Sequence, residues 1–365
     1  MTEPTDLGEL APPTPRKQNN RRHPVMIGAG VVAVVLGLLA LALPSPYIVE
    51  SPGPTFNTIG AVNDVPLIEI PGQKTYPTSG ALDMTTVYMS GGPSGSVRLF
   101  EVASAWLDPH KSVTPEELVY PPGVSGEQIQ NRNAAAMDSS QETSVAAALS
   151  HMGVDFEEDL SVVGFAEGAA AADLLARDDV IESINGTAVT DIDVLRDELN
   201  ASGGEPVELK VLRDGEPETV QVAPEANAQG TYQLGVTIET DFEFPYDVKI
   251  QLENVVGPSA GMMFALGIVD KLTPGELTGG LHVAGTGTID SSGNVGPIGG
   301  IEQKMYGAHQ RGATVFLAPE ANCGDVVGNA PDGMQVVKVA TLEDAVEAVT
   351  LLGEGKDGSA LPACG

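Results

Sequence analysis

Ser259 stands in the run GPSAG, flanked by Gly257, Pro258, Ala260 and Gly261, at the mouth of the apolar stretch MMFALGIVDKL. A serine at a helix start is ordinarily an N-cap, its hydroxyl accepting a bond from the first turn. A cap, however, does not require small residues on both sides. Gly257, Pro258 and Ala260 would let a substrate backbone approach, and the free amides of a helix start could hold an oxyanion. A serine hydroxyl is a weak nucleophile and needs a base. Downstream, the helix expected after Gly300 places Ile301, Lys304, Met305 and Ala308 on one face by i, i+3, i+4, i+7 spacing. An ammonium buried on that apolar stripe loses hydration and its pKa falls, which would make Lys304 a competent base. The bland alternative is a lysine that snorkels out of a partly exposed face. GPSAG also satisfies GxSxG formally, so an esterase of the α/β-hydrolase type, with His282 or His309 as base, is a second class. A non-catalytic peptide-binding adaptor is a third.

The elements that must position these groups can be read in outline. YDVKIQLENVV reads as a strand leading into the GPSAG turn, and SAGMMFALGIVDKL as a helix. HVAGTGTIDSSGNVGPIGGIEQKMYGAHQRGATVFLAP reads as strand, Gly-rich turn, helix, strand. Residues 44–126 begin rich in β structure, with ALDMTTVYM alternating as a strand, while residues 101–118 and 127–152 are better helix material. Residues 351–365 form a Gly-rich tail.

Residues 1–23 are polar and Pro-rich and read as a disordered tail, with Arg16, Lys17, Arg21 and Arg22 near its end. The next run, 24–43, is uncharged and about as long as the ~20 residues of a membrane-spanning helix. Basic residues before it place the N-terminus in the cytoplasm and residues 44–365 outside. A cleaved signal peptide is the alternative, since Ala40-Leu41-Ala42 fits a small-x-small site. On the outer side disulfides persist, so Cys323 and Cys364 are expected to pair; two unpaired thiols are the other outcome. Fifty acidic against eighteen basic side chains give a formal charge of −32, which argues against nucleic acid as partner. The five histidines are scattered and HExxH is absent, so neither a metal nor another cofactor is expected.

Within 127–228, AADLLARDDVIESINGTAVTDIDVLRDELN followed by PVELKVLRDGEPETVQVAP gives a strand into Asn185-Gly186, a capped amphipathic helix and a hairpin about Asp214-Gly215. The order and phrases resemble a bacterial PDZ domain over roughly seventy residues. That resemblance implies capture of an extended peptide as an added strand. It also places the family's carboxylate loop near Met152-Gly153-Val154.

GPSAG, followed 45 residues after its serine by the lysine of PIGGIEQK through a strand carrying AGTG, is similar to the proteolytic domain of the Lon proteases over roughly residues 245–320. The resemblance implies a Ser-Lys dyad, with Ser259 the nucleophile, Lys304 the base and Thr286 the threonine that hydrogen-bonds the lysine. Thr288 stands where an acidic residue commonly follows the Thr-Gly pair. No GxxxxGK[ST] phosphate loop occurs in the sequence. One apolar helix, a PDZ-like module and a Lon-like domain resemble the membrane-anchored, ATP-independent PDZ/Lon-like peptidases of bacteria. The fold class expected is α+β: an N-terminal transmembrane helix, then a Lon-like domain over 229–350. Residues 44–126 would supply its first strands, with the PDZ-like domain inserted. The activity implied is serine endopeptidase action on extracytoplasmic or membrane-tethered polypeptides. Lon-like domains often form rings, which makes a homo-oligomer an expectation by resemblance alone.

Overall fold

The computed structural model describes residues 22–93, 95–121, 123–228, 230–252 and 255–365. The tail expected over 1–23 therefore lies, up to residue 21, outside the described residues. The chain divides into two units, Met1–Val49 with Ser90–Pro122 and Glu50–Met89 with Gly123–Gly365.

In the first unit the uncharged run forms the helix Arg22–Leu41, whose side chains from Val25 to Leu41 are all exposed. The spanning helix expected over 24–43 is not supported in that form. Ala42 and Leu43 lie beyond the helix, because the residue before Pro44 is pushed out of helical geometry. Among the described residues no helix is long and apolar enough to cross a membrane. Strand Pro44–Ser45 pairs antiparallel with Val97–Arg98, and the Ser45 hydroxyl donates to the Val97 carbonyl at 2.9 Å. The helix expected over 101–118 is broken into Leu99–Ala105 and Glu116–Val119 around the strand Ser112–Pro115. Pro109, which has no amide hydrogen, cannot continue the first of them.

Among the described residues of the second unit, two large sheets hold most of the strands. Strands Gln335–Val339, Val315–Pro319, His282–Gly285 and Ala81–Ser90 lie side by side and parallel, with Tyr47–Asn57 next in order. VFLAP is buried throughout, as befits a parallel strand covered on both faces. Helices Gly126–His151, Gly261–Leu272 and Leu342–Gly353 contribute to one core with this sheet, through residues such as Leu82, Met84, Phe264 and Leu317. Ala81–Ser90 thus pairs with a strand that follows it by some two hundred positions, and the segment between them carries the second sheet as an insertion.

That second sheet runs Glu216–Val222, Val207–Arg213, Val180–Ile184, Glu157–Phe165, Val236–Glu243. Its two hairpin turns need positive φ at both central residues: Asn185 and Gly186 have φ of 50° and 83°, Asp214 and Gly215 of 51° and 81°. The helix Ile192–Ala201 is capped by Asp191, whose carboxylate accepts from the Val194 amide at 2.8 Å. The sheet includes Val236–Glu243 and so extends beyond the boundary at 228. Cys323 and Cys364 are joined by a disulfide with Cα atoms 4.9 Å apart, which ties the C-terminal tail to the segment after Val315–Pro319.

Candidate active site

The helix after GPSAG runs Gly261–Leu272 with Ala260 at its N-cap, so Ser259 lies one residue outside the cap position. The N-cap reading of Ser259 therefore does not hold. Its carbonyl is fixed twice, accepting from the Thr286 hydroxyl at 2.9 Å and from the Gly287 amide at 2.9 Å. The Gly287 carbonyl in return accepts from the Met262 amide at 3.2 Å. The AGTG segment thus clamps the serine backbone from one side.

From the other side helix Gly126–His151 does the same. The Gly257 amide donates to the Asn133 carbonyl at 3.2 Å, and Ser140 and Ser144 donate to the Pro258 and Gly261 carbonyls, each at 3.0 Å. Gly257 has φ of 100°, and a Cβ there would meet nothing within 4 Å, so the approach to Ser259 is open at this residue. Pro258 is exposed, whereas the Ala260 side chain is buried in the core. Ala260 can therefore face a substrate only through its backbone. Among the described residues the amides of Ser259 and Ala260 donate to no backbone acceptor. Of the strand expected across YDVKIQLENVV, only Lys249–Ile250 is strand, paired with Ile68–Glu69, and residues 253 and 254 lie outside the described residues.

Lys304 comes from the helix Ile301–Gln310, which begins after Gly300 in the left-handed region at φ 68°. Ile301, Lys304, Met305 and Ala308 are all buried, as their spacing predicted, and Lys304 is 2% exposed. Its ammonium nitrogen lies 2.8 Å from the Ser259 hydroxyl oxygen and 2.9 Å from that of Thr286. Burial pulls the lysine pKa down from its ordinary 10.5 to about 7, with Glu50 pushing weakly the other way. Glu50 is half-buried on the strand Tyr47–Asn57. A Cβ at position 300 would lie 3.7 Å from its carboxylate but only 2.9 Å from a Val87 methyl, so the backbone conformation and the space beside Val87 both favour glycine there.

A proton can therefore pass from Ser259 to a neutral amine already in hydrogen-bond contact, while Thr286 joins the amine to the serine carbonyl. Thr286 is fully buried. Thr288 lies in a short hairpin, where its hydroxyl would collide with any Cβ at Gly296. His282 pairs instead with Asp83 at 2.8 Å, and Asp83 also accepts from Thr55 at 2.7 Å; His309 is exposed. Neither histidine is brought to Ser259 among the described contacts. Among the described residues no group of His, Cys, Asp and Glu could hold a metal ion.

The carboxylate loop expected near Met152-Gly153-Val154 is a helix end instead. These three amides donate to the carbonyls of Ala148, Ser150 and Leu149 at 3.2, 3.0 and 2.9 Å, so they are not turned toward a peptide terminus. The sequence reading missed where this sheet ends. Val236–Glu243 is one of its two end strands, Glu216–Val222 being the other, and an edge strand presents a row of peptide groups to a further strand.

Residues 236–352 match the model of the Lon protease (S16) C-terminal proteolytic domain, and residues 150–223 match that of the PDZ domain. Lon protease 1 of Bacillus subtilis is 33% identical over 49% of this chain and 24% of its own length. The archaeal Lon protease of Methanothermobacter thermautotrophicus is 34% identical over 31% of this chain and 18% of its own. The chain thus spans about a quarter or less of the length of these relatives. The solved PDZ domain of the SdrC-like protein from Listeria monocytogenes is 22% identical over 22% of this chain and 85% of that one, with a TM-score of 0.21. The chain is a mixed α+β protein that carries a PDZ domain and a Lon-type proteolytic domain.

Proposed function

We propose that this protein is an ATP-independent serine endopeptidase that uses Ser259 and Lys304 as a dyad to cleave polypeptides outside the cytoplasmic membrane of a bacterium. The observation that carries the reading is the 2.8 Å contact between the Ser259 hydroxyl and a buried lysine whose pKa is lowered to about 7. Neutral Lys304 accepts the hydroxyl proton as Ser259 Oγ bonds to the scissile carbonyl carbon. The oxyanion is held by the amides of Ser259 and Ala260 at the helix start. Collapse breaks the C–N bond, and the Lys304 ammonium returns its proton to the leaving amine. Water then attacks the ester, giving a proton to Lys304, and the serine is regenerated as its proton comes back. Thr286 positions the amine throughout.

The open edge of Val236–Glu243 suits capture of an extended segment of substrate. Attachment to a membrane is supported by the helix Arg22–Leu41, apolar and exposed on all sides from Val25 onward, since such a surface calls for a non-aqueous neighbour. Turnover of an unfolded polypeptide such as casein, measured without nucleotide on the full chain in detergent, tests the reading. Wild-type protein is expected to cleave, and Ser259→Ala and Lys304→Ala each to abolish cleavage, because the two act as one unit. Equal cleavage by all three would refute it.

A further inference from the structure

The helix Leu99–Ala105 and the two residues after it carry apolar side chains outward as well as inward. Val102 and Ala105 are buried, while Leu99, Phe100, Trp106 and Leu107 are exposed, Trp106 at 66% and Leu107 at 87%. Positions 99 and 106, and likewise 100 and 107, lie seven residues or about two turns apart, so these side chains look to the same side, with Ala103 and the exposed Ser104 between them. Leu118, on the short helix Glu116–Val119, adds a further side chain at 74% exposure.

This face is built onto the end of the helix Arg22–Leu41. The Leu99 amide donates to the Leu43 carbonyl at 3.0 Å, Pro44–Ser45 pairs with Val97–Arg98, and the Glu116 amide donates to the Pro46 carbonyl at 3.0 Å. Tyr47, three residues beyond that junction, meets the Trp106 ring edge-on at 6.1 Å. Large exposed apolar patches mark an interaction surface. Continuity decides which one: a second copy of the chain would cover one face, yet the adjoining helix is apolar and bare on every side. A single neighbour that suits both is a lipid bilayer. Tryptophan and tyrosine favour the depth of the headgroups, where an apolar ring meets a polar tip.

We propose that Phe100, Trp106, Leu107 and Leu118 form a lipid-contacting foot that inserts into the outer interface of the bilayer beside the N-terminal helix. The proposal rests on the membrane attachment inferred above. The foot holds the first unit at a fixed depth by shallow insertion, as interfacial helices do, without spanning.

Trp106 is the only tryptophan, so emission from the full chain reports this residue alone. The protein, reconstituted in phosphatidylcholine–phosphatidylglycerol vesicles, is compared with vesicles whose lipids are brominated either high on the acyl chain or near the bilayer centre. The expected result is a shift of emission to shorter wavelength relative to a soluble tryptophan, with more quenching by the shallow bromines than by the deep ones. Leu107→Glu, at a highly exposed position that should fold normally, reduces that quenching while the protein still floats with the vesicles. Cofloatation with unquenched, long-wavelength emission overturns the foot and leaves the membrane attachment standing. Failure to cofloat overturns both. Short-wavelength emission that no bromolipid quenches, with a doubled mass, assigns the face to a second copy and refutes the proposal.

Discussion

Replacing Lys304 by Met should make the protein more stable at neutral and acid pH while removing its activity. The folded pKa of Lys304 is depressed from the ordinary 10.5 to about 7. Below about pH 7 the lysine is charged in both states, and the folded state carries the full cost of the buried charge. Between about pH 7 and 10.5 only the unfolded state holds the extra proton, so stability rises with pH across that window. At about 1.36 kcal/mol per pH unit, the gap between 10.5 and about 7 corresponds to about 5 kcal/mol. Methionine fills a similar volume without charge but loses the contacts to Ser259 and Thr286, each worth about 1 kcal/mol. A net gain of about 3 kcal/mol at pH 6 follows, shrinking as pH rises and changing sign at about pH 9. Urea unfolding of both proteins across that pH range, in the same detergent, provides the assay. An equal difference at every pH, or a Met variant destabilised at pH 6, would show that the lysine is not held in a charge-averse site.

Other expectations follow from the same geometry. His282→Gln and His309→Gln should keep most serine-dependent turnover, since neither side chain reaches Ser259; loss of turnover with His309→Gln, an exposed site, would favour a histidine base. Thr286→Val should lower turnover about tenfold or more while Thr286→Ser restores it, the hydroxyl being what links amine and carbonyl. Opening the Cys323–Cys364 bridge, which closes a separation of 41 residues, should cost about 4 kcal/mol in the loop-entropy model. Denaturant midpoints with and without reductant read this, and coincident curves would contradict it. Protease added outside spheroplasts should degrade residues 44–365 if the N-terminal helix is the attachment; full protection would refute that orientation.

Lys304 and Ser259 were legible because each sits in a local pattern: a lysine on an apolar helical stripe, a serine ringed by small residues. Their meeting was not, since it depends on the strand His282–Gly285 joining the two helices, and the resemblance alone supplied it. The hydrogen bonds from Asn133, Ser140 and Ser144 to the serine segment could not be read at all. Those residues lie in a mostly polar helix whose face toward the site is chosen by tertiary packing. Glu50 escaped for a similar reason, as a charged residue in an irregular strand far away in sequence. Met152-Gly153-Val154 misled because a helix C-terminus and an anion-binding loop use the same small, positive-φ glycine, and only the destination of the amides separates them. Residues 101–118 read as helix material, but that reading does not say which side chains turn outward.

Covalent labelling tests the central claim most directly. The full chain is treated with a fluorophosphonate between pH 6 and pH 8, digested, and the adduct located by mass spectrometry. Because the neutral fraction of a lysine with pKa about 7 rises from about a tenth to about nine tenths over that range, labelling at Ser259 should accelerate roughly tenfold. It should vanish in Lys304→Ala. An adduct on another serine, or equal labelling of Ser259 in the folded Lys304→Ala variant, would contradict the dyad.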